Sequence, residues 1–205
     1  MTKLSVNINK IALIRNSRKG NNPSLEDFSL KIIEAGAHGI TVHPRPDQRH
    51  IRPEDLSDLS EITKKHKVEF NIEGNPYEER LDDYPGFLNL IDSINPDQCT
   101  LVPDDSSQLT SDHGWNINSE HNKLSTVLGF LRQSKIRSSI FVDPDKSQLD
   151  AAKDIGVDRV ELYTGPFAEA FIKNDEKTLS TYQEAISYAN DISLELNAGH
   201  DLNLD

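Results

Sequence analysis

Histidines and carboxylates stand at the ends of several short apolar stretches of this sequence, where they could transfer protons. His43 and Glu73 each end such a stretch, and His200 follows another. Glu161 lies inside a further stretch, and Asn7 lies near the end of the first. Because an imidazole and a buried carboxyl group can both be tuned to exchange protons near neutral pH, these residue types predict a site for general acid–base catalysis.

The stretches that carry these residues have the composition of β-strands, and they alternate with amphipathic helical segments. One helical segment follows Ser24, which can cap it, and carries Leu25 and Phe28 on a stripe expected to face a sheet. Asp143 before Pro144 predicts another helix start. The predicted strands are Leu4–Ile8, Gly39–His43, Val68–Glu73, Gln98–Pro103, Ser138–Asp143, Arg159–Thr164 and Ile192–Ala198.

Seven successive strand-then-helix units predict an α/β fold, a (β/α)₈ TIM barrel whose eighth unit is missing from this chain. A doubly wound sheet would usually carry a glycine-rich phosphate loop after its first strand, but segment 15–22 has one glycine. We expect a single domain over residues 1–205, C-terminally truncated, since such barrels usually have about 250 residues. Because barrel active sites lie at the carboxyl ends of the strands, the acid–base residues are expected there, with Glu161 on the same strand face as Arg159 and Tyr163.

Charge is distributed unevenly along the chain and indicates an anionic ligand. The net charge is −12, yet residues 1–52 hold nine Lys and Arg against four Asp and Glu. An acidic protein of this kind is not expected to bind nucleic acid, whose phosphates require Lys and Arg. Arg45, Arg49 and Arg52 surround His50, and guanidinium groups pair well with phosphate. The alternative is that these basic residues are scattered, solvated surface groups.

Other classes of site have less support in the sequence. His43, His50, Glu73 and His200 could in principle hold a metal, but no closely spaced pair of ligands starts such a site, so we expect no metal and no cofactor. Cys99 is the single cysteine and is expected in the core. No apolar run is long enough for a membrane span and no leader pattern is evident, so we expect a cytoplasmic protein without a membrane partner.

Seven sequence blocks together resemble the strand-end motifs of the pyridoxine 5′-phosphate synthase family. They occur in family order over nearly the whole chain, and the second is the most diagnostic because it places two histidines and two arginines at fixed offsets. The blocks are VNINKIALIRN (6–16), GITVHPRPDQRHI (39–51), FNIE (70–73), LVP (101–103), SIFVD (139–143), ELYTG (161–165) and NAGH (197–200).

The resemblance implies a transferase of vitamin B6 biosynthesis that condenses 1-deoxy-D-xylulose 5-phosphate with 3-amino-2-oxopropyl phosphate to form pyridoxine 5′-phosphate. Two small phosphorylated molecules are then the partners, and the amine of one substrate forms the imine, so no cofactor is implied. It also implies a homo-octamer assembled from dimers.

By motif position, the resemblance implies that His43 and Glu73 are proton acceptors, that His200 is a proton donor and that Glu161 stabilises the transition state. Further matching positions hold the two substrates. For the deoxyxylulose phosphate these are Arg45, His50, Thr110, Asn9 and Lys10, and for the amino ketone phosphate they are Asn7, Arg18 and the segment that begins at Asp201.

Three of these positions depart from the commoner family pattern. Asn9 and Lys10 replace an Asp-His pair, and Asp201 replaces a glycine. Two alternative functions also share the fold: a different phosphosugar aldol or isomerase reaction, and a catalytically silent phosphate-binding barrel. The three residues His43, Glu73 and His200 favour the synthase, because a binding protein has no use for three acid–base groups.

Overall fold

A computed structural model describes residues 2–105 and 107–203. Strands and helices alternate along them as the sequence predicts. The strands are β1 (Ser5–Asn7), β2 (Gly39–Val42), β3 (Glu69–Gly74), β4 (Gln98–Leu101), β5 (Arg137–Val142), β6 (Arg159–Tyr163) and β7 (Glu195–Gly199). The helices are α1 (Asn9–Asn16), α2 (Leu25–Glu34), α3 (Asp55–His66), α4 (Phe87–Ile94), α5 (Ile117–Gln133), α6 (Lys146–Ile155), α7 (Gly165–Lys173) and α8 (Glu176–Asp191).

The first compact unit comprises Met1–Cys99 with Asp105–Ser107 and contains β1, β2 and β3. These strands are parallel and pair in chain order. In the β2–β3 register, Val42 lies opposite Ile72. The carboxyl ends of β2 and β3 therefore coincide, which fixes the positions of the polar residues that follow them.

Helix α2 begins where its capping signal predicts. The Ser24 side chain accepts a hydrogen bond from the Asp27 N–H at 3.1 Å, and Leu25 is buried. The expectation that Phe28 faces the core is wrong, because its side chain is 38% exposed. Ser29, one turn after Leu25, takes the buried position instead, and the Lys31 ammonium lies 5.7 Å from the Phe28 ring.

The second compact unit comprises Thr100–Asp104 with Gln108–Asp205 and contains β5, β6 and β7. These strands are also parallel and consecutive. The register sets Glu161 opposite Asn197 and Tyr163 opposite Gly199. Helix α5 buries its apolar stripe in this unit, which comprises Leu124, Val127, Leu128 and Leu131.

Two element boundaries of this unit differ from the sequence prediction. Helix α6 begins after Asp145, whose side chain accepts from the Ser147 N–H, and not at Asp143. Strand β7 begins only at Glu195, because Ile192 ends α8 and Ser193 has a left-handed backbone with a φ of 54°.

Strand β4 is divided between the two units, with Gln98 and Cys99 in the first. Cys99 is fully buried, and burial together with the nearby Glu73 charge raises the pKa of its thiol. This confirms the prediction of a core cysteine. The expectation of a single domain stays a prediction. Among residues 2–105 and 107–203, no helix is both long and apolar enough to cross a bilayer.

Candidate active site

His43 and Glu73 lie side by side at the ends of β2 and β3. His43 directly follows Val42, and Glu73 follows Ile72, which is the register partner of Val42. Neighbouring strands are about 4.8 Å apart, so the two residues start from adjacent backbone positions. The structure thus brings together two of the residues that the sequence predicts for proton transfer.

The surroundings of His43 keep its imidazole neutral. The ring is 5% exposed, and burial lowers the pKa of His43 well below its usual value, with the charges of Arg45, His50 and Arg49 acting in the same direction. The His43 N–H donates to Asn9 Oδ1 at 2.9 Å, which fixes the backbone at the strand end. A neutral imidazole at neutral pH can accept a proton.

Glu73 belongs to a hydrogen-bonded group of buried polar side chains. Asn71 Nδ2 lies 3.4 Å from both Glu73 Oε1 and Thr41 Oγ1. Gln98 Nε2 in turn donates to Asn71 Oδ1 at 3.2 Å. Sequence reasoning did not single out Asn71, although its place two residues before Glu73 puts both side chains on one strand face. The Asn71 amide therefore orients the carboxylate of Glu73.

Arg45 makes the pocket around His43 electropositive, and His50 adds a neutral imidazole to it. Arg45 is 3% exposed, and the rings of His43 and His50 are 6.3 Å apart. Burial, together with Arg45 and Arg49, lowers the pKa of His50 to about 4. Its Nδ1 accepts from the Ile51 N–H at 2.9 Å, so the neutral ring carries its proton on Nε2. This arrangement suits an anion, which would meet a guanidinium and an imidazole N–H.

The residues predicted near the start of the chain divide into two groups. Asn7 ends β1, and its Oδ1 accepts from the Asn9 N–H at 2.9 Å, while Asn9 reaches the His43 backbone. Lys10 in α1 and Arg18 after it have exposed side chains. The structure therefore brings Asn7 and Asn9 to the end of β2, and the side chains of Lys10 and Arg18 lie on the surface.

In the second unit, Glu161 lies on β6 and has a raised pKa. Half-buried residues alternate with the buried Val160 and Leu162, which fits a common face for Arg159, Glu161 and Tyr163. Burial raises the pKa of Glu161 to about 7. A Cβ at position 199 would overlap Glu161 Oε1, so a larger residue there would require the Glu161 side chain to move.

His200 is held by three neighbours within the second unit. Its Nε2 lies 3.0 Å from Thr110 Oγ1, and its Nδ1 lies 3.0 Å from Asp201 Oδ2. The ring packs edge-on against Tyr163, with centroids 5.2 Å apart. The structure therefore brings Thr110 and Asp201, both predicted as substrate-binding residues, onto the predicted proton donor.

Thr164 stabilises the unusual backbone of this turn. His200 and Asp201 have φ values of 93° and 57°, which side chains rarely adopt. Thr164 Oγ1 lies 2.6 Å from the carbonyl oxygens of both Gly199 and His200 and donates to them. Sequence reasoning missed Thr164 as a supporting residue, since its partners lie 35 and 36 positions away. Its presence in the ELYTG block was the only signal.

A metal site would need a group of at least three potential ligand side chains. Within residues 2–105 and 107–203, no three His, Cys, Asp or Glu side chains come together in such a group.

Comparisons with known proteins identify the family of this chain. The family described as "Pyridoxal phosphate biosynthesis protein PdxJ" matches residues 4–205. The chain is similar to a pyridoxine 5′-phosphate synthase of Xanthomonas axonopodis pv. citri, with 48% identity over 202 residues that cover 98% of this chain and 79% of the relative. It is equally similar to the synthase of Cytophaga hutchinsonii, with 48% identity over 204 residues that cover 100% and 82%.

Solved structures show likeness in fold alone. Thiamine phosphate pyrophosphorylase from Pyrococcus furiosus superimposes with a TM-score of 0.57 at 12% identity, covering 98% of this chain and 76% of that one. Deoxyribose phosphate aldolase from Aeropyrum pernix gives 0.57 at 12% identity, covering 97% and 75%. Together with the seven strand–helix units, these likenesses confirm the predicted (β/α)₈ barrel class.

Proposed function

Because this chain belongs to the pyridoxine 5′-phosphate synthase family, we propose that it condenses 1-deoxy-D-xylulose 5-phosphate with 3-amino-2-oxopropyl phosphate. The products are pyridoxine 5′-phosphate, inorganic phosphate and water. The observation that carries the proposal is the family match over residues 4–205, supported by a neutral His43 beside Glu73 at the ends of neighbouring strands.

In this proposal, His43 and Glu73 remove protons from the substrates. Ring formation requires successive deprotonations, so two acceptors are more useful than one. His43 suits the task because its buried imidazole is neutral at the pH of the cell. Glu73 suits it because Asn71 orients its carboxylate.

Glu161 and His200 supply protons and hydrogen bonds in the same reaction. A carboxyl group whose pKa is about 7 is protonated in a substantial fraction of molecules at neutral pH, so Glu161 can donate a hydrogen bond to developing negative charge. His200 acts as the proton donor to a leaving hydroxyl group, and Thr110 and Asp201 set the direction of its two nitrogens.

We assign Arg45 and His50 of the first unit to the phosphate of deoxyxylulose phosphate, and Asn7 and Arg18 of the same unit to the amino ketone phosphate. In the second unit, Thr110 and the segment from Asp201 keep the substrate-binding roles that the family resemblance implies. Asn9 is assigned a supporting role, since its Oδ1 is already bonded to the His43 N–H, and the exposed Lys10 is assigned to general attraction of anions.

Assembly and location complete the proposal. By the family resemblance, we propose a cytoplasmic homo-octamer built from dimers. The proposed reaction needs no metal or cofactor, because one substrate provides its own amine. Light scattering of the purified chain tests the assembly, since an octamer has eight times the protomer mass of 23.0 kDa.

The test of the function is product formation from both substrates. We expect a product with the mass of pyridoxine 5′-phosphate when both are present and none when either is omitted. A different product from deoxyxylulose phosphate alone would favour an aldol or isomerase reaction. Binding of both phosphates without turnover would favour a silent phosphate-binding barrel and would refute the proposal.

A further inference from the structure

The end of α1 holds a loop that lies 32 to 34 residues further along the chain. The two protons of Asn16 Nδ2 are shared among three successive carbonyl oxygens, those of Gln48 at 3.3 Å, Arg49 at 3.1 Å and His50 at 2.8 Å. All of these residues belong to the first compact unit. One amide group therefore gathers the main chain immediately before and at His50.

Arg15 fixes the direction of the Asn16 amide. Its side chain is 1% exposed, and its Nε donates to Asn16 Oδ1 at 3.0 Å. Its Nη2 donates to the His50 carbonyl oxygen at 3.0 Å, and its two Nη atoms lie 2.5 and 2.9 Å from the carboxylate oxygens of Asp55. Because Asn16 Oδ1 accepts from Arg15, Nδ2 must point at the loop, so the amide cannot flip.

The same group anchors the far side of the loop. Asp55 begins α3 and accepts from the Arg52 N–H at 2.8 Å. At the near side, Gln48 has a φ of 52°, a left-handed conformation that costs free energy in a residue with a side chain. The bonds from Asn16 and Arg15 offset this cost, so segment 48–52 is held in one conformation at both ends.

We infer that Asn16, oriented by Arg15, is a positioning residue for the phosphate of deoxyxylulose phosphate. The inference rests on the proposed function, in which His50 is a ligand of that phosphate. Since His50 Nδ1 accepts from the Ile51 N–H, its Nε2–H is the remaining donor, and the loop conformation decides where that donor points. A loop that is already ordered loses less entropy on binding, so the substrate binds more tightly.

Asn16→Asp tests this role with almost no change of shape. The variant keeps Oδ1 for Arg15 but replaces Nδ2 with an oxygen that faces three carbonyl oxygens. Asn16→Ala serves as a second variant that removes the amide without adding charge. The matched control is Asn89→Asp, since Asn89 Nδ2 in α4 also donates to one backbone carbonyl, that of Pro85 at 2.8 Å, outside this loop.

The measurements are the Kd of deoxyxylulose phosphate by calorimetry, hydrogen exchange of the peptide covering 47–52, and the kinetic constants for both substrates. In Asn16→Asp we expect Kd and KM for deoxyxylulose phosphate to rise about tenfold, the effect of losing a buried hydrogen bond. Exchange should rise in 47–52 alone, and kcat and the KM of the amino ketone should stay within about twofold. Asn16→Ala should act in the same direction, and Asn89→Asp should leave all values unchanged.

Two results would overturn the inference: unchanged Kd in both Asn16 variants, or an equal rise in both KM values with faster exchange throughout the first unit, which marks general destabilisation. Failure of the proposed function looks different. If the wild type binds deoxyxylulose phosphate but makes no product, the Kd and exchange data still decide the role of Asn16. If it does not bind that phosphate at all, both proposals fall.

Discussion

The strand ends of the first and second units shift the acidity of their residues in opposite chemical senses by the same physical means. At the end of β2, burial and arginines keep the imidazoles of His43 and His50 neutral. On β6, burial keeps Glu161 partly protonated, with a pKa of about 7. Burial disfavours whichever form is charged, so it makes a base of histidine and an acid of glutamate.

The largest effect is expected from removing the proton acceptors of the first unit. His43→Asn and Glu73→Gln should each lower kcat by roughly 10² to 10⁴ while substrate Kd changes little, because a missing general base costs rate and not affinity. Steady-state kinetics with calorimetry measures both quantities. The exposed His66→Asn and Glu79→Gln provide the same chemical changes outside the site. Near wild-type turnover in both site variants would remove these residues from the chemistry.

Replacing Glu161, the carboxyl group of the second unit whose pKa is raised, should change how the stability of the fold depends on pH. A Glu whose pKa in the folded state is raised destabilises the fold as pH rises from its usual value of 4.5 through about 7. At pH 8, Glu161→Gln should therefore have a free energy of unfolding higher than the wild type by at most about 3 kcal/mol, and it should unfold at a higher temperature. The difference should vanish at pH 4, where both side chains are neutral. An equal difference at both pH values would contradict this account.

The pH dependence of kcat should also follow the ionisation of Glu161. We expect kcat of the wild type to fall as pH rises through about 7, because the hydrogen-bond donor is lost when Glu161 ionises. Glu161→Gln should lack this alkaline limb. A limb that persists in the variant would assign it to another residue.

Arg45→Ala tests whether the Arg45 guanidinium in the first unit both binds phosphate and lowers the pKa of His43. Loss of a charge-assisted contact should raise KM for deoxyxylulose phosphate by a factor that corresponds to about 1.5–3 kcal/mol. It should also raise the pKa of His43, since the charge of Arg45 helps to lower it. Arg80→Ala, an exposed arginine of the same unit, is the control. An unchanged KM would place Arg45 outside the phosphate site.

The smallest effect is expected at Asp201, where the family has a glycine more often. Asp201→Gly removes a negative charge and relieves a left-handed backbone with a φ of 57°. Since Asp201 is largely exposed, KM for the amino ketone phosphate should fall by no more than about fivefold. A rise in KM would show that Asp201 helps the His200 ring more than it repels phosphate.

Much of the fold could be predicted from the sequence, because each strand has a simple local signal. The observed strand bounds lie within a few residues of the predicted ones. Helix α1 has no clear sequence signal, since Ile8 precedes it without a capping side chain and Leu13 and Ile14 are exposed on it. Helix α4 was missed for a related reason: it follows Gly86, also without a side-chain cap. Local capping signals find a helix only where the helix uses them.

The sequence could predict which residues form the candidate site but not the direction in which their pKa values shift. Strand ends revealed His43 and Glu73, but the direction of a pKa shift depends on what packs around the side chain. The supporting contacts were also beyond reach, since Asn16 meets His50 across 34 residues and Thr164 meets His200 across 36. Nothing in a local pattern marks such a pair.

The central claim is that burial tunes the two strand-end regions in opposite senses, and an NMR titration tests it most directly. Ring ¹⁵N shifts would follow His43 and side-chain ¹³C shifts would follow Glu161, each assigned with His43→Asn and Glu161→Gln. The account predicts that His43 stays neutral well below pH 6.5 and that Glu161 titrates near 7. A His43 that titrates at 6.5 together with a Glu161 that titrates near 4.5 would contradict it.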